Sequence, residues 1–191
     1  ANPTHRDDCP SCQFAHLHQH TQFSLLDGAA RLKDLIKWIK KVSPEEPMLA
    51  MTDHGNLFGA MSYYTQARAK GVKPILGCEA YVAAKDRTDR TYTGVADGGY
   101  HLVMLAENLT GWQNLMYLAS EAYLTGFYFK PRIDRALMEK HHEGLIVING
   151  HLGSELAFHL VEYEKTKDKA HWKRAVEVCE WHQKVFAPTE K

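Results

Sequence analysis

The chain has 191 residues, and its 23 Lys and Arg balance 23 Asp and Glu to a formal charge of zero with histidine neutral. That balance argues against a domain that grips nucleic acid on its own by counterion release, which needs clustered, unmatched cations. The 45% apolar share is enough for one globular core, and no apolar run nears the ~20 residues that a membrane span requires.

Residues 1–13 read as an N-terminal extension and 14–191 as one domain. Short apolar runs alternate with helical patterns along the domain, which predicts a parallel α/β layout. Phe14–His18 is the first predicted strand. Leu32, Leu35, Ile36, Ile39 and Val42 then recur at helical spacing with lysines opposite, the mark of a helix packed on a sheet. Met48–Thr52 is the second strand. Leu57, Ala60, Met61 and Tyr64 repeat the helical pattern, and Gly71 with Pro74 supplies its stop. Ile75–Val82 is the third strand, and the polar segment 85–99 is a surface loop. Leu102–Ala106 is the fourth strand. After a turn at 107–109, Thr110 to Gln113 has capping-box form ahead of Trp112, Leu115, Met116, Ala119, Ala122 and Tyr123, one face of a helix. Leu145–Ile148 is the fifth strand, and Trp172, Ala175, Val176, Cys179 and Phe186 predict a closing helix.

The chemistry concentrates in histidine, of which there are 12. His16, His18 and His20 alternate as the chain leaves the first strand, and Asp27 follows closely. In an extended segment residues two apart point the same way, so His18 and His20 can reach one ion together. Imidazole and carboxylate donors suit Zn, Mn or Fe. Asp53 and His54 end the second strand, Glu79 lies late in the third, and His151 follows the fifth through Gly150. Parallel barrels gather their sites at the carboxyl ends of strands. His101 departs from this rule, because it precedes its strand.

Other signals are weaker. Cys9 and Cys12 form a lone CxxC without a second ligand pair, while Cys78 and Cys179 read as core. The four cysteines are too scattered for a disulfide framework. Phe127 to Arg132 combines aromatics with two cations, as nucleic-acid grooves do. His141, His142 and His182 read as surface or helix-end residues. The opening ANPTHRDDCP has no signal-peptide core, so the expected compartment is the cytoplasm.

Five stretches carry a family resemblance: FAHLHQHTQFSLLDGA from Phe14, MTDHGNLFGA from Met51, KPILGCEAYVA from Lys73, GLIVINGHLGSEL from Gly144, and the long block from His101 that ends in KPRID. Together they resemble the PHP (polymerase and histidinol phosphatase) domain found at the N-terminus of bacterial DNA polymerase III alpha subunits. The resemblance implies a distorted seven-stranded (β/α) barrel, here truncated after about five β/α units and lacking its last two strands. It implies a cluster of up to three ions, Zn or Mn with Mg or Fe as further candidates. Its ligand positions fall on His18, His20, Asp27, His54, Glu79, His101 and His151, with His16 orienting a ligand from behind. At His151 the polymerase pattern has cysteine instead, and the family's closing Asp-x-His pair has no counterpart here.

The function so implied is a metal-dependent 3′–5′ exonuclease or phosphoesterase that edits primer ends, with nucleotidyl transfer lying outside this chain. The implied partners are DNA reached through the whole polymerase, the rest of the alpha subunit, a proofreading exonuclease subunit and a sliding clamp, at the nucleoid and away from any membrane. A non-catalytic scaffold stabilised by metal shares every ligand with the enzyme reading. A free-standing phosphatase ranks last, because it leaves the long block from His101 unexplained.

Overall fold

The computed structural model describes residues 14–187. The expected extension at 1–13, with Cys9 and Cys12, lies outside the described residues. In chain order the elements are α1 (Leu32–Val42), β1 (Met48–His54), α2 (Ala60–Ala69), β2 (Lys73–Val82), β3 (Tyr100–Ala106), α3 (Leu109–Leu124), β4 (Arg132–Ile133), α4 (Arg135–Lys140), β5 (Leu145–Ile148), α5 (Glu155–Thr166) and α6 (Lys169–Phe186). The class is mixed α/β with one five-stranded sheet in the order β1-β2-β3-β5, β4 pairing with the end of β2.

Two expectations about the strands are corrected. Phe14–His18 is not a strand: it makes a single bridge, His16 to Leu49. The chain bends at His18, and Gln19 N donates to the Thr52 hydroxyl at 2.8 Å instead of continuing a ladder. The layout is also not all parallel, because β3 runs antiparallel to both β2 and β5. A parallel return needs a crossover element, and the segment between β2 and β3 holds only a 3-10 turn at Ala96–Gly98. The chain therefore comes straight back down the sheet.

The sheet separates two environments. Leu49 and Met51 of β1 pack with Leu32, Ile36 and Ile39 of α1 and with Ala60, Tyr63 and Ala67 of α2. On the same face, Cys78, Ala80 and Val82 of β2 meet Leu115, Leu118 and Ala122 of α3 and Leu137 and Met138 of α4. Burying a side chain of the Leu or Met kind contributes about 1.5–3 kcal/mol, so this helix-covered face carries the weight of folding. The opposite face has only a small apolar floor of Ala50, Val103 and Leu105, flanked by Ile75 and Ile148.

α1 matches its predicted span, and its buried face is the predicted one. The faces read for the later helices need correction. In α2 the buried residues are Ala60, Tyr63 and Ala67, while Met61 and Tyr64 are exposed. In α3, Met116 and Tyr123 are exposed and Leu118 takes their place. The α3 cap is Asn108, whose side chain accepts from Gly111 N at 3.0 Å, not Thr110. In α6, Ala175 and Val178 are buried, whereas Trp172, Val176 and Cys179 are exposed. The charged face of α5 and α6 turns inward at one point. There Glu155, 9% exposed, accepts from Arg135 of α4 and Arg174 of α6, both at 2.8 Å.

Gly111 is needed for close approach. A Cβ at this position would stand 1.8 Å from the carbonyl oxygen of Gly144, whose own φ is +71°. That backbone contact seats the start of α3 against the turn entering β5. Gly111→Ala is therefore expected to cost about 1–3 kcal/mol through overpacking, lowering Tm by several degrees. Differential scanning calorimetry checks it.

Candidate metal centre

The register of the sheet assembles the site. His54 is the Cα partner of Glu79, and Tyr81, two residues on from Glu79, is the partner of His101. Residues opposite one another share a face, and so do residues two apart. His54, Glu79 and His101 thus come from three adjacent strands onto the sparsely covered face. The antiparallel course of β3 explains why His101 stands at the start of its strand. The start of β3 lies at the same end of the sheet as the finish of β1 and β2.

Glu79 is the hub, and it is fully buried. Its Oε2 lies 2.6 Å from His18 Nε2 and 2.6 Å from His20 Nε2, and its Oε1 lies 2.6 Å from His101 Nδ1. Burial by itself pushes this carboxyl up. The hydrogen bonds from His101, His20 and His18, with the charge of His54, outweigh burial and hold Glu79 well below the usual carboxylate range. His20 is raised in turn, chiefly by its bond to Glu79, against the opposing effect of its own burial. Cys78, one residue before the hub, points to the core. Burial first, then the nearby Asp53 and Glu79, push its thiol up to about 12, so it is a neutral apolar filler.

A second carboxylate builds the loop that supplies three of these groups. Asp53 faces the helix-covered side of β1 with no exposed surface. It accepts from Thr21 N, the Thr21 hydroxyl and the Ser24 hydroxyl, each at 2.6 Å. Ser24 Oγ accepts in addition from His54 N at 3.1 Å. Residues 18–28 are thereby tied to the end of β1, which sets His20 and Asp27 beside His54. Asp27 Oδ2 is 2.9 Å from His54 Nε2 and 3.4 Å from His20 Nδ1.

Three donor groups result, each with ligand atoms within 4.8 Å of one another: His18, His20 and Glu79; His20, Asp27 and His54; His54, Glu79 and His101. The residues fit a cation on one further observation. Among the described residues, His54 Nδ1 is the buried side-chain atom left with no hydrogen-bond partner, and it lies 3.7 Å from Glu79 Oε2. With its Nε2 proton given to Asp27, His54 aims a lone pair at a carboxylate oxygen, an arrangement that a cation between them satisfies. The imidazole and carboxylate donors match Zn, Mn or Fe chemistry.

Six of the seven sequence-derived ligand positions are brought together in these groups. The seventh, His151, completes none of them. It stacks on His101 with centroids 4.5 Å apart, its Nδ1 accepts from Gly153 N at 2.8 Å, and its Nε2 is 3.7 Å from Glu79 Oε1. Its neutral form therefore carries the proton on Nε2, facing the cluster, and burial lowers its pKa first of all. His16, read as orienting a ligand, is in none of these groups. Its ring packs on Phe14 and Trp38, with centroids at 4.8 and 5.3 Å, because the bend at His18 breaks the alternation that would have aimed it inward. Sequence reasoning noted Asp53 only as an acid at a strand end and passed over its donors Thr21 and Ser24. The available signal was that Asp53 has the parity of Leu49 and Met51 and so had to be a buried acid needing donors.

These features define an α/β domain with a cluster of imidazole and carboxylate groups able to hold a metal at one end of its sheet. The chain belongs to the PHP domain family, whose family model matches residues 16–191. Among its relatives are DNA polymerase III subunits alpha. That of Thermus aquaticus is 63% identical over 145 residues, 75% of this chain, and that of Deinococcus radiodurans is 52% identical over 160 residues, 80% of this chain. The chain spans 12% of the length of each. A solved structure from Bifidobacterium adolescentis, of a protein assigned as a metal-dependent phosphoesterase, is 14% identical. It covers 94% of this chain and 60% of its own with a TM-score of 0.40, a likeness too distant to bear on function.

Two outcomes are expected. Asp53→Ala leaves buried donors at Thr21 and Ser24 unpaired, which costs about 2–4 kcal/mol. It also weakens metal uptake although Asp53 is in none of the donor groups; thermal melts with and without added Zn report both. Metal must displace the protons shared between the histidines and Glu79. With His20 titrating above its ordinary value, affinity should fall with acidification through neutrality, by about tenfold per pH unit for each proton displaced. Competition titrations with a chelator between pH 8 and pH 6 check the slope.

Proposed function

We propose that this chain is the metal-dependent phosphoesterase domain of a DNA polymerase III alpha subunit, hydrolysing 3′ ends of single-stranded DNA. The observation that carries the reading is Glu79, one buried carboxylate whose two oxygens face histidines from opposite sides beside the unpartnered His54 Nδ1. His18, His20, Asp27, His54, Glu79 and His101 would hold divalent Zn- or Mn-type ions, up to three in number, with Mg and Fe as alternatives. Such ions lower the pKa of a bound water and neutralise charge on a phosphoester in the transition state.

The residues of the chain do the rest. Glu79, anionic through its hydrogen bonds, divides its two oxygens between neighbouring donor groups. Asp27, half exposed at the mouth, is the ligand that can yield room to an incoming phosphate oxygen. His151 holds a proton on Nε2 facing the cluster and can donate it in a hydrogen bond to that phosphate; it would join the ligands only by giving up the Gly153 N–H. On this reading the domain works with DNA, the remainder of an alpha subunit, a proofreading exonuclease subunit and a sliding clamp, in the cytoplasm at the nucleoid.

The metal-loaded chain is expected to shorten a single-stranded oligonucleotide from its 3′ end. His18→Ala combined with His20→Ala should lower that rate about 100-fold or more and reduce bound metal measured by elemental analysis. Metal bound at full stoichiometry, with no hydrolysis of 3′ ends under Zn or Mn, would replace this reading with the scaffold alternative.

A further inference from the structure

The cleft that holds the metal-binding residues has a volume of about 650 Å³ and continues onto a rim that the chemistry above leaves unused. Phe58 and Tyr123 line this rim with ring centroids 6.4 Å apart, and Phe127 continues the row 6.2 Å beyond Tyr123. Their exposures are 69%, 42% and 49%. Single exposed apolar residues are ordinary on any surface, whereas a contiguous row at the lip of a cleft marks a binding surface.

Tyr123 is on α3 and Phe58 just ahead of α2, and the turn that carries Phe127, the last of the row, is built for rigidity. Phe129 has a φ of +59°, a left-handed conformation that costs an aromatic residue energy and persists only where its surroundings over-determine it. The surroundings here are Arg132, which the sequence suggested as a cation facing nucleic acid and which is in fact 2% exposed. It donates to the carbonyl oxygens of Gly126 at 3.1 Å and of Arg87 and Asp89 at 2.8 Å, and its guanidinium lies 5.1 Å over the Tyr128 ring. A buried cation is thus committed to fixing the turn from Gly126 to Arg132. The other cation of that motif, Lys130, lines the cleft. Its ammonium lies 5.6 Å over the Tyr81 ring, and that ring stacks on His54 at 5.9 Å. One aromatic ring therefore separates Lys130 from the donor groups.

We infer that this rim is a nucleobase shelf: Phe58 and Tyr123 take the unpaired bases at the 3′ end of a single strand, and Lys130 pairs with the phosphate next to the one held at the metal donors. The inference rests on the phosphoesterase reading and adds to it how the strand is gripped. Exposed ring faces, a cation and a phosphate-seeking donor cluster in one cleft are the components of single-strand recognition. A chain of zero net charge also cannot rely on counterion release alone.

The test uses a hydrolysis-resistant phosphorothioate oligothymidylate ending in 3′ 2-aminopurine, titrated with the 191-residue chain, beside the same strand ending in abasic residues. The chain should quench 2-aminopurine emission and bind the base-bearing end about 5- to 100-fold more tightly than the abasic end. Phe58→Ala and Tyr123→Ala should each erode that preference. Tyr123→Phe, which keeps the ring, should restore it, and Trp172→Ala on α6 should leave it unchanged. Equal affinity for the two ends, or a preference that survives in both alanine variants, overturns the shelf and leaves the rim as a seat for a protein surface. The readout involves no hydrolysis, so an inactive chain that still prefers the base-bearing end refutes the phosphoesterase reading while upholding the shelf.

Discussion

A carboxylate with no solvent contact cannot stay ionised unless other groups replace its water. Glu79 is the clearest case in this domain, and the arrangement of the site follows from it. Three imidazole nitrogens stand 2.6 Å from its oxygens. They arrive from a loop before β1 and from the first residues of β3. Removing any one leaves a buried charge short of a partner, which is costlier than the same loss at the surface. That dependence ties the loop, β2 and β3 into one unit even before a cation is considered.

Asp53 solves the same problem on the other side of β1. It is as buried as Glu79, yet its donors are two hydroxyls and a backbone N–H, all held at 2.6 Å. Both hydroxyls give their protons to Asp53 and accept from backbone N–H groups, Ser24 from His54 at 3.1 Å and Thr21 from Phe23 at 3.3 Å, so the Asp53 pocket is satisfied without a metal. Glu79 is surrounded instead by rings that become ligands once they lose a proton. Two acids on neighbouring strands thus take different roles because of the chemistry of their donors, not the depth of their burial. The structural acid holds the 18–28 loop in place, and the loop supplies half of the donors grouped around the other acid.

Much of this was legible in the sequence. Polar, metal-capable residues at the ends of apolar runs stand out, and six of the positions picked on that basis and on family resemblance converge. The course of the chain between them was less readable. Strand direction is not written in a run such as Leu102 to Ala106, only in the connection before it, and the lack of a helix between 83 and 99 was the clue to β3. Helix faces failed where apolar residues exceed what the sheet can cover. Met61, Tyr64, Met116 and Tyr123 satisfy the period yet remain exposed, because periodicity locates a stripe and not the surface that covers it. His16 stands outside the donor groups because alternation holds only while the backbone stays extended.

The exposed stripe residues bear on how a neutral domain can act on a polyanion. Charge balance over the whole chain says nothing of its distribution, and here the cations are divided by function. Arg132, Arg135 and Arg174 are committed to internal acceptors, while Lys130 stands at the cleft that holds the donor cluster. The charge that a phosphoester meets in such a cleft would come from the ions at Glu79, concentrated within a few ångströms instead of spread over the surface. Attraction of that kind is short in range and blind to the length of the strand. Grip along the strand then has to come from contacts that carry no charge, and the exposed rings of Phe58 and Tyr123 beside the cleft are suited to supply them.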